Sequence, residues 1–221
     1  IILRPLRAKW LSALAGAFLN ARISKIFIKS FVKRGNIDLS EYESDNFACF
    51  NDCFTRKIKK GMRPFDKDPD ALAAPCDGRL SVYKVNGGTV MPVKQSFYTV
   101  ESLLCSGELA AEYRNGYAFV FRLCVDNYHR YAYAASGTKG ENTYIKGTLH
   151  TVRPIAHRNN RVFCENSREY TVIDTGAFGK IVQMEVGAML VGKIKNYITA
   201  PAKVQKGEEK GMFLYGGSTV I

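Results

Sequence analysis

The sequence predicts an α+β protein, mainly β, in which basic amphipathic N-terminal helices precede a β-sandwich or barrel-like domain. Two patterns support this prediction. Residues 1–34 mix apolar side chains with lysines and arginines at roughly helical spacing. From residue 73 onward, short β-branched and aromatic runs are separated by glycine and Asn-Gly turns. The chain has 221 residues, enough for one domain with a full core and a short appendage.

The composition excludes several classes of protein. Hydrophobic residues make up 46% of the chain and aromatic residues 12%, which excludes a disordered protein. The glycines and prolines follow no period, which excludes a collagen-like sequence. The formal net charge of +12 favours an anionic partner, either nucleic acid or acidic lipid.

The position of the basic residues favours lipid. The first 34 residues contain no acidic side chain, and their basic residues are Arg4, Arg7, Lys9, Arg22, Lys25, Lys29, Lys33 and Arg34. Trp10, Phe18 and Ile26 belong to the apolar residues between them, a pattern typical of a helix lying in a membrane interface. No run reaches the roughly 18 apolar residues of a spanning helix. The alternative is an ordinary amphipathic helix packed on the domain. Nucleic-acid binding would rest on charge alone, because no zinc-finger spacing or aromatic RNA-binding strand is present, so we expect no nucleic-acid partner.

The elements between these regions are predicted in order. We expect the N-terminal helix to break near Ala15–Gly16 or Asn20, a helix start at 38–42, and a further helix over 45–60. Strands follow, and Lys206 to Lys210 are expected to form a polar turn that sets the register of the last strand.

Cysteine usage predicts no metal site. The six cysteines do not form paired CxxC units, which zinc would require. We interpret them as small buried hydrophobic residues in a reducing compartment. They are Cys49, Cys53, Cys76, Cys105, Cys124 and Cys164.

Three histidines are candidates for proton transfer. His129 follows the predicted strand FVFRLCV and is crowded by Asp126 and Arg130, so it is the strongest candidate, although a lone histidine is more often structural. His150 is a weaker candidate, and His157 is expected to face water.

Two further segments allow a functional and a plain interpretation. Asp77, in PCDG, either forms a turn or orients a histidine, and spacing does not choose between them. In Gly216-Gly217-Ser218, the Ser218 hydroxyl is one peptide bond from the carbonyl of Gly217 and could attack it if a base removed its proton. The alternative is a glycine hairpin turn.

Taken together, these segments resemble the phosphatidylserine decarboxylase family. The resemblance covers the chain from about residue 45 to its end, with seven segments in the family's order. They are FNDCFTRKIKKGMRPFD (50–66), PCDGRLSVY (75–83), VKQSFYTVESLL (93–104), FRLCVDNYHRYAY (121–133), GTLHTVRPIA (147–156), ENSREYTVIDTGAFGKIVQMEVGAMLVGKI (165–194) and KGEEKGMFLYGGSTVI (206–221).

The resemblance implies a self-processing enzyme. It implies that the chain cuts its own Gly217–Ser218 bond, and that Ser218 becomes a pyruvoyl group on a small C-terminal subunit. This group would react with the amine of phosphatidylserine and accept the electrons left by carbon dioxide, giving phosphatidylethanolamine without a metal. Asp77, His129 and Ser218 match the family's Asp-His-Ser set. Lys94 and His150 are weak candidates for substrate binding. Lys94 could attract the substrate phosphate, although a solvated lysine is the favoured interpretation.

The sequence departs from the family at one position. Ala132 stands where the family's His-x-x-His motif has its second histidine, so either His129 or His150 is the base for self-cleavage or processing is impaired. A processing-deficient, lipid-binding relative is therefore the alternative function. Family members continue well past the serine, so we expect the C-terminal tail to be truncated here.

The expected organisation and location follow from this resemblance. Residues 1–44 would form a membrane-associating segment and residues 45–221 the catalytic domain. The partners would be phosphatidylserine in an anionic membrane and the chain's own pyruvoyl subunit, with a homodimer left open. The place would be the cytoplasmic face of the cell membrane.

Overall fold

The computed structural model describes residues 9–94, 96–147, 166–187, 193–214 and 218–221. Within these ranges five short α-helices are present. They are α1 (Lys9–Asn20), α2 (Ile28–Arg34), α3 (Phe50–Phe54), α4 (Val100–Leu104) and α5 (Gly107–Glu112), with 3₁₀ helices at Arg22–Phe27 and Leu39–Glu41.

Strands dominate the remainder of the described residues. They are β1 (Arg79–Lys84), β2 (Met91–Val93), β3 (Ser96–Tyr98), β4 (Tyr117–Leu123), β5 (Arg130–Ala132), β6 (Gly137–Lys139), β7 (Thr143–Ile145), β8 (Arg168–Asp174), β9 (Lys180–Val186), β10 (Ile194–Asn196), β11 (Ala202–Val204), β12 (Glu209–Phe213) and β13 (Ser218–Val220). The prediction of a mainly β protein with N-terminal helices is confirmed.

The strands form three antiparallel sheets. The large sheet has the order β1-β4-β13-β9-β8-β6-β11, with β7 also paired to β8, and over the described residues it is open, not a closed barrel. A three-stranded sheet has the order β10-β12-β5, and β2 pairs with β3. The last strand, β13, therefore lies in the interior of the large sheet between β4 and β9.

Two apolar clusters cover parts of the large sheet. The larger joins β2, β3, α4, β4, β8 and β9, and its buried members include Met91, Tyr98, Leu103 and Met184. A second cluster joins the large sheet to the three-stranded sheet through Leu123, Tyr131, Phe213 and Val220. Because burial of apolar area is the main favourable term in folding, the second cluster, which contains Val220, holds β13 in place.

The break in the N-terminal helical region lies at Asn20, one of the two predicted positions. Asn20 ends α1, and its side-chain amide donates to the carbonyl of Gly16 (2.8 Å) while its oxygen accepts from Asn51 (2.9 Å). Buried Ser24 then accepts the backbone N–H of Phe50 at 2.8 Å, which ties this region to α3. One face of the N-terminal helices packs on Phe47, Phe50 and Phe54 of the chain that follows.

The helix predicted over 45–60 is wrong for most of its length, because only Phe50–Phe54 is α-helical. Thr55 bonds back to the carbonyl of Asn51 (2.8 Å), and Arg56 then turns inward to donate to the carbonyl of Asp126 (2.7 Å). A buried guanidinium that satisfies backbone carbonyls competes with continuation of the helix.

The sequence analysis missed helix α4, whose termini are both satisfied by side chains. Thr99 and Ser102 form a reciprocal capping box at its start. At its end, the fully buried guanidinium of Arg168 donates to the carbonyls of Leu103 (2.7 Å) and Ser102 (2.6 Å). A cation at a helix C-terminus is favourable because the last carbonyls carry partial negative charge.

Five of the six cysteines lie among the described residues and all five are free thiols. Cys164 lies outside them. The part of the chain that the structure describes also contains no helix long and apolar enough to cross a bilayer.

Candidate active site

Ser218 begins β13 and is only 2% exposed. It lies opposite Leu123 of β4, and Thr219 lies opposite Val186 of β9. The serine is therefore enclosed by two neighbouring strands. The predicted cleavage bond joins Ser218 to Gly217, which lies outside the described residues.

Asp77 is brought to the same end of β4 by a glycine. A Cβ atom on Gly78 would lie 2.9 Å from the carbonyl oxygen of Arg122, so only glycine fits this approach. The approach places Asp77 beside the strand position that faces Ser218. Its carboxylate is about one-third exposed and lies 3.6 Å from the guanidinium of Arg63.

His129 is held by the loop that follows β4. The side-chain oxygen of Asn127 accepts the N–H of Cys124 at 2.7 Å, which closes a tight turn. The backbone carbonyl of Asn127 contacts Nδ1 of His129 at 2.8 Å. A carbonyl can only accept, so Nδ1 carries the proton and Nε2 has the lone pair.

The surroundings of His129 keep the ring neutral. The side chain is 1% exposed, and its ring centroid lies 3.8 Å from that of Phe54. Burial lowers the pKa of His129 to about 3, and the positive charge of Arg56 lowers it further, although the bond to Asn127 opposes both. Nε2 is buried and has no hydrogen-bond partner among the described residues. This nitrogen therefore carries the free lone pair of the ring.

The backbone next links His129 to the strand that leads to the serine. The N–H of Phe213 donates to the carbonyl of His129 at 2.9 Å. Phe213 packs with Leu123, which lies opposite Ser218. It also packs with Val220, which follows Ser218 by two residues. The C-terminal end of β4 thus lies opposite Ser218 and close to Gly78, and it is followed by the loop that carries His129.

The residue that hydrogen-bonds to the His129 ring is Asn127. The sequence analysis had considered Asp77 for this role. Nδ1 of His129 bonds to Asn127, and the carboxylate of Asp77 pairs with Arg63. Sequence reasoning missed Asn127 and the ring contact of Phe54. The signal for the first was an asparagine two residues before the histidine, since asparagine commonly closes such turns. Phe54 lies 75 positions from His129 and left no local signal.

A buried ion pair supports the strand next to the serine. Lys210 of β12 donates to Glu185 of β9, and both side chains are fully buried. Glu185 lies opposite Val220, and its second partner is Asn196 at 3.2 Å. Burial raises the pKa of Glu185, although the interactions with Lys210 and Asn196 partly offset this increase. Its Oε1 atom has no hydrogen-bond partner among the described residues.

This pair corrects one expectation. The turn predicted over 206–210 is confined to its first residues, because Glu209 and Lys210 belong to β12. Glu209 pairs with Arg130 of β5 at 2.8 Å. A run of charged residues is typical of a turn in sequence, but here Glu209 and Lys210 each pair with an opposite charge on another strand.

Comparison with known proteins now decides the family. The profile of the family described as phosphatidylserine decarboxylase matches residues 50–221. The chain belongs to the phosphatidylserine decarboxylase family. The resemblance inferred from seven sequence segments is thereby confirmed.

Relatives within this family are similar over most of the chain. Phosphatidylserine decarboxylase proenzyme 2 of Clostridium acetobutylicum is 46% identical over 194 residues, which cover 88% of this chain and 66% of that protein. The phosphatidylserine decarboxylase proenzyme of Clostridium botulinum (strain 657 / Type Ba4) is 42% identical over 220 residues, 98% of this chain and 75% of the relative. That of Clostridium perfringens is 38% identical, again over 220 residues, with the same two coverages. This chain thus spans about two thirds to three quarters of the length of these relatives.

Lys94, His150 and Ala132 are the remaining positions that the family resemblance singled out. Lys94 occupies the turn between β2 and β3 with a φ of 59°, and burial lowers its pKa to about 7. His150 lies outside the described residues. Ala132, at the position of the second motif histidine, is buried on β5 and donates its N–H to the carbonyl of Pro75 (2.8 Å). Among the described residues, no group of three or more His, Cys, Asp or Glu side chains is placed to bind a metal ion.

Proposed function

We propose that this chain decarboxylates phosphatidylserine to phosphatidylethanolamine, using a pyruvoyl group that it makes from Ser218. One observation supports the proposal above others. A buried serine lies on a strand whose neighbours, Leu123 and Phe213, connect it to a neutral imidazole with an unpartnered Nε2.

In the first step, Nε2 of His129 accepts the hydroxyl proton of Ser218. The serine Oγ forms a bond to the carbonyl carbon of Gly217, and the peptide C–N bond breaks. His129 returns its proton to the departing nitrogen, so the amide becomes an ester and Ser218 gains a free amine. His129 takes the base role because the motif's second position is Ala132, which has no titratable group.

In the second step, the Cα proton of Ser218 passes to water and the Cβ–Oγ bond of the ester breaks. Gly217 leaves as a carboxylate, and residue 218 becomes dehydroalanine. Addition of water and loss of ammonia then give the pyruvoyl group at the start of the C-terminal fragment. No oxidant or reductant is consumed, so atoms and electrons balance.

The residues present fit such a group. When formed, its two adjacent carbonyls supply an electron sink for the loss of carbon dioxide. The chain's part is to hold the end of β13 between β4 and β9 and to exclude water with Leu123, Phe213 and Val220. His129 starts neutral with a lone pair at Nε2, and this atom would accept a proton and then return it.

Mass spectrometry of the full-length chain tests the proposal. We expect a large fragment ending at Gly217 and a small fragment with a blocked amino end, and decarboxylation of phosphatidylserine. The Ser218→Ala chain is expected to remain uncut. A wild-type chain that stays in one piece and releases no carbon dioxide contradicts the proposal and favours the lipid-binding relative.

We further propose that residues 1–44 hold the enzyme on an anionic membrane at the cytoplasmic face of the cell. The N-terminal helices expose Leu14, Phe18, Ile23, Ile26 and Phe27, and Ile26 is 71% exposed. Lysines and arginines surround these side chains, with no acidic residue among residues 9–34. An apolar surface edged with basic residues suits the interface of an acidic bilayer.

Vesicle sedimentation tests this second proposal. We expect the chain to bind vesicles that contain phosphatidylglycerol and to bind phosphatidylcholine vesicles weakly. Ile26→Asp should weaken binding, because it places a charge in the apolar surface. Equal binding of wild type and Ile26→Asp would contradict the proposal.

A further inference from the structure

An apolar groove lies between the N-terminal helices and the loop that precedes His129. Its volume is about 570 Å³, within the size range of small-molecule sites. One wall is formed by helical residues and the other by Val125 and Asp126. The apolar lining residues are Phe18, Leu19, Phe27, Phe31, Phe50 and Val125.

The floor of the groove leads to the candidate active site through aromatic rings. Phe31 contacts Phe50 with ring centroids 5.0 Å apart, and Phe50 contacts Phe54 at 6.5 Å. Phe54 in turn contacts the ring of His129 at a tilt of 33°. A row of contacting rings thus connects Phe31, which lines the groove, with the proposed base His129.

The loop wall is rigid although its tip is exposed. Val125 is 56% exposed and lies in the loop that precedes His129. The carbonyls of the two residues that follow it, Asp126 and Asn127, both accept hydrogen bonds from Arg56 (2.7 and 3.2 Å). The side chain of Val125 is therefore presented by a fixed backbone and does not depend on a flexible loop.

The mouth of the groove is chemically mixed. Phe18 and Phe27, which line it, are also part of the exposed apolar surface of the N-terminal helices. Ser30 and Arg34 line the groove and are exposed. Among the described residues, Arg34 forms no ion pair. Asp126 is the acidic group among the lining residues. An apolar interior with a guanidinium at its mouth complements a fatty acyl chain attached to a phosphate.

We propose that this groove binds one acyl chain of the phospholipid substrate while Arg34 faces its phosphate. The inference rests on the proposed function, which supplies the phospholipid. The occupant is a lipid chain because the groove opens on the same surface that we assign to the bilayer.

Photocross-linking tests occupancy without requiring turnover. The probe is a dioctanoyl phosphatidylserine with a diazirine at the end of one chain, applied below its micelle concentration to the uncut full-length Ser218→Ala chain. We expect label on peptides that contain Phe31, Phe50 or Val125. Ser30→Trp, which fills the groove from an exposed position, should remove this label. The matched control Ala48→Trp adds the same ring at an exposed position just before α3 and should leave it.

Kinetics of the processed enzyme give a second measurement. We compare kcat/KM for dioctanoyl phosphatidylserine with that for glycerophosphoserine, which has no acyl chain. Ser30→Trp should lower the ratio of the two about tenfold, the equivalent of roughly two buried methylene groups. Ala48→Trp should not change the ratio.

The outcomes separate the groove from the reaction. Label confined to Ile23 and Ile26, or equal in the Ser30→Trp and Ala48→Trp variants, overturns the groove assignment even if the enzyme is active. A ratio unchanged by Ser30→Trp overturns it as well. A wild-type chain that remains uncut contradicts the proposed function, and the cross-linking pattern then decides the groove alone.

Discussion

The imidazole of His129 lies against the phenyl ring of Phe54, with ring centroids 3.8 Å apart. Phe54 belongs to a five-residue helix, and His129 to the loop after a strand of the large sheet. This contact joins the helical N-terminal part to the candidate active site. It also removes water from a group that must stay neutral to act as a base.

The first prediction concerns the pH dependence of stability. Burial lowers the pKa of His129 to about 3, from 6.5 in an exposed histidine. Between these values the unfolded chain binds a proton that the folded chain does not bind. The stabilising contribution is therefore complete above pH 6.5 and decreases as the pH falls, by about 1.4 kcal/mol per pH unit.

Urea denaturation of wild type and His129→Asn measures this contribution. Asparagine retains a donor for the carbonyl of Asn127 but has no proton to bind, so its free energy of unfolding should fall less steeply below pH 6.5. The variant should also fail to cut itself, as seen by intact mass. Parallel pH profiles for the two proteins would mean that His129 is not buried as a neutral base.

The second prediction concerns Gly78. A Cβ atom there would lie 2.9 Å from the backbone oxygen of Arg122, so Gly78→Ala must shift Asp77 or β4. We expect a loss of about 1–3 kcal/mol in unfolding free energy and slower self-cleavage. The control is Gly87→Ala, where no atom lies within 4 Å of the added methyl group. Equal cleavage rates for both variants would show that the approach to β4 does not matter.

The third prediction concerns the buried pair Lys210 and Glu185. Glu185→Leu leaves a buried ammonium group without its carboxylate and should cost about 3–5 kcal/mol of unfolding free energy. Adding Lys210→Met replaces both charges with apolar groups and should recover most of that loss. A double-mutant cycle by urea denaturation measures the coupling. Additive losses would show that the two charges do not interact.

The fourth prediction concerns the basic N-terminal surface. Lys29 and Lys33 are exposed, and replacing both with glutamine should weaken binding to anionic vesicles about 30-fold, at about 1 kcal/mol per charge. The control replaces the exposed Lys146 and Lys203 of the β-rich domain. Both proteins lose two charges, so an equal loss of binding would indicate attraction by net charge and no specific surface.

Several elements could be predicted from sequence because their signals are local. The break at Asn20, the helix start at 38–42, which is a 3₁₀ helix, and the mainly β texture after residue 73 are confirmed. The helix over 45–60 was overpredicted, since Arg56 bonds to carbonyls 70 residues away. Likewise α4 was missed, because Arg168 satisfies the end of a helix 65 residues earlier in the chain.

The sequence alone determined the family, the candidate residues and the basic amphipathic start, since residue types and their order suffice for these. Tertiary structure decided that Asn127 orients His129, that Phe54 covers it and that Lys210 pairs with Glu185. The physical reason is that a pKa, a burial and an ion pair depend on distances between atoms. Those distances are set by sheet register and packing between residues far apart in the chain.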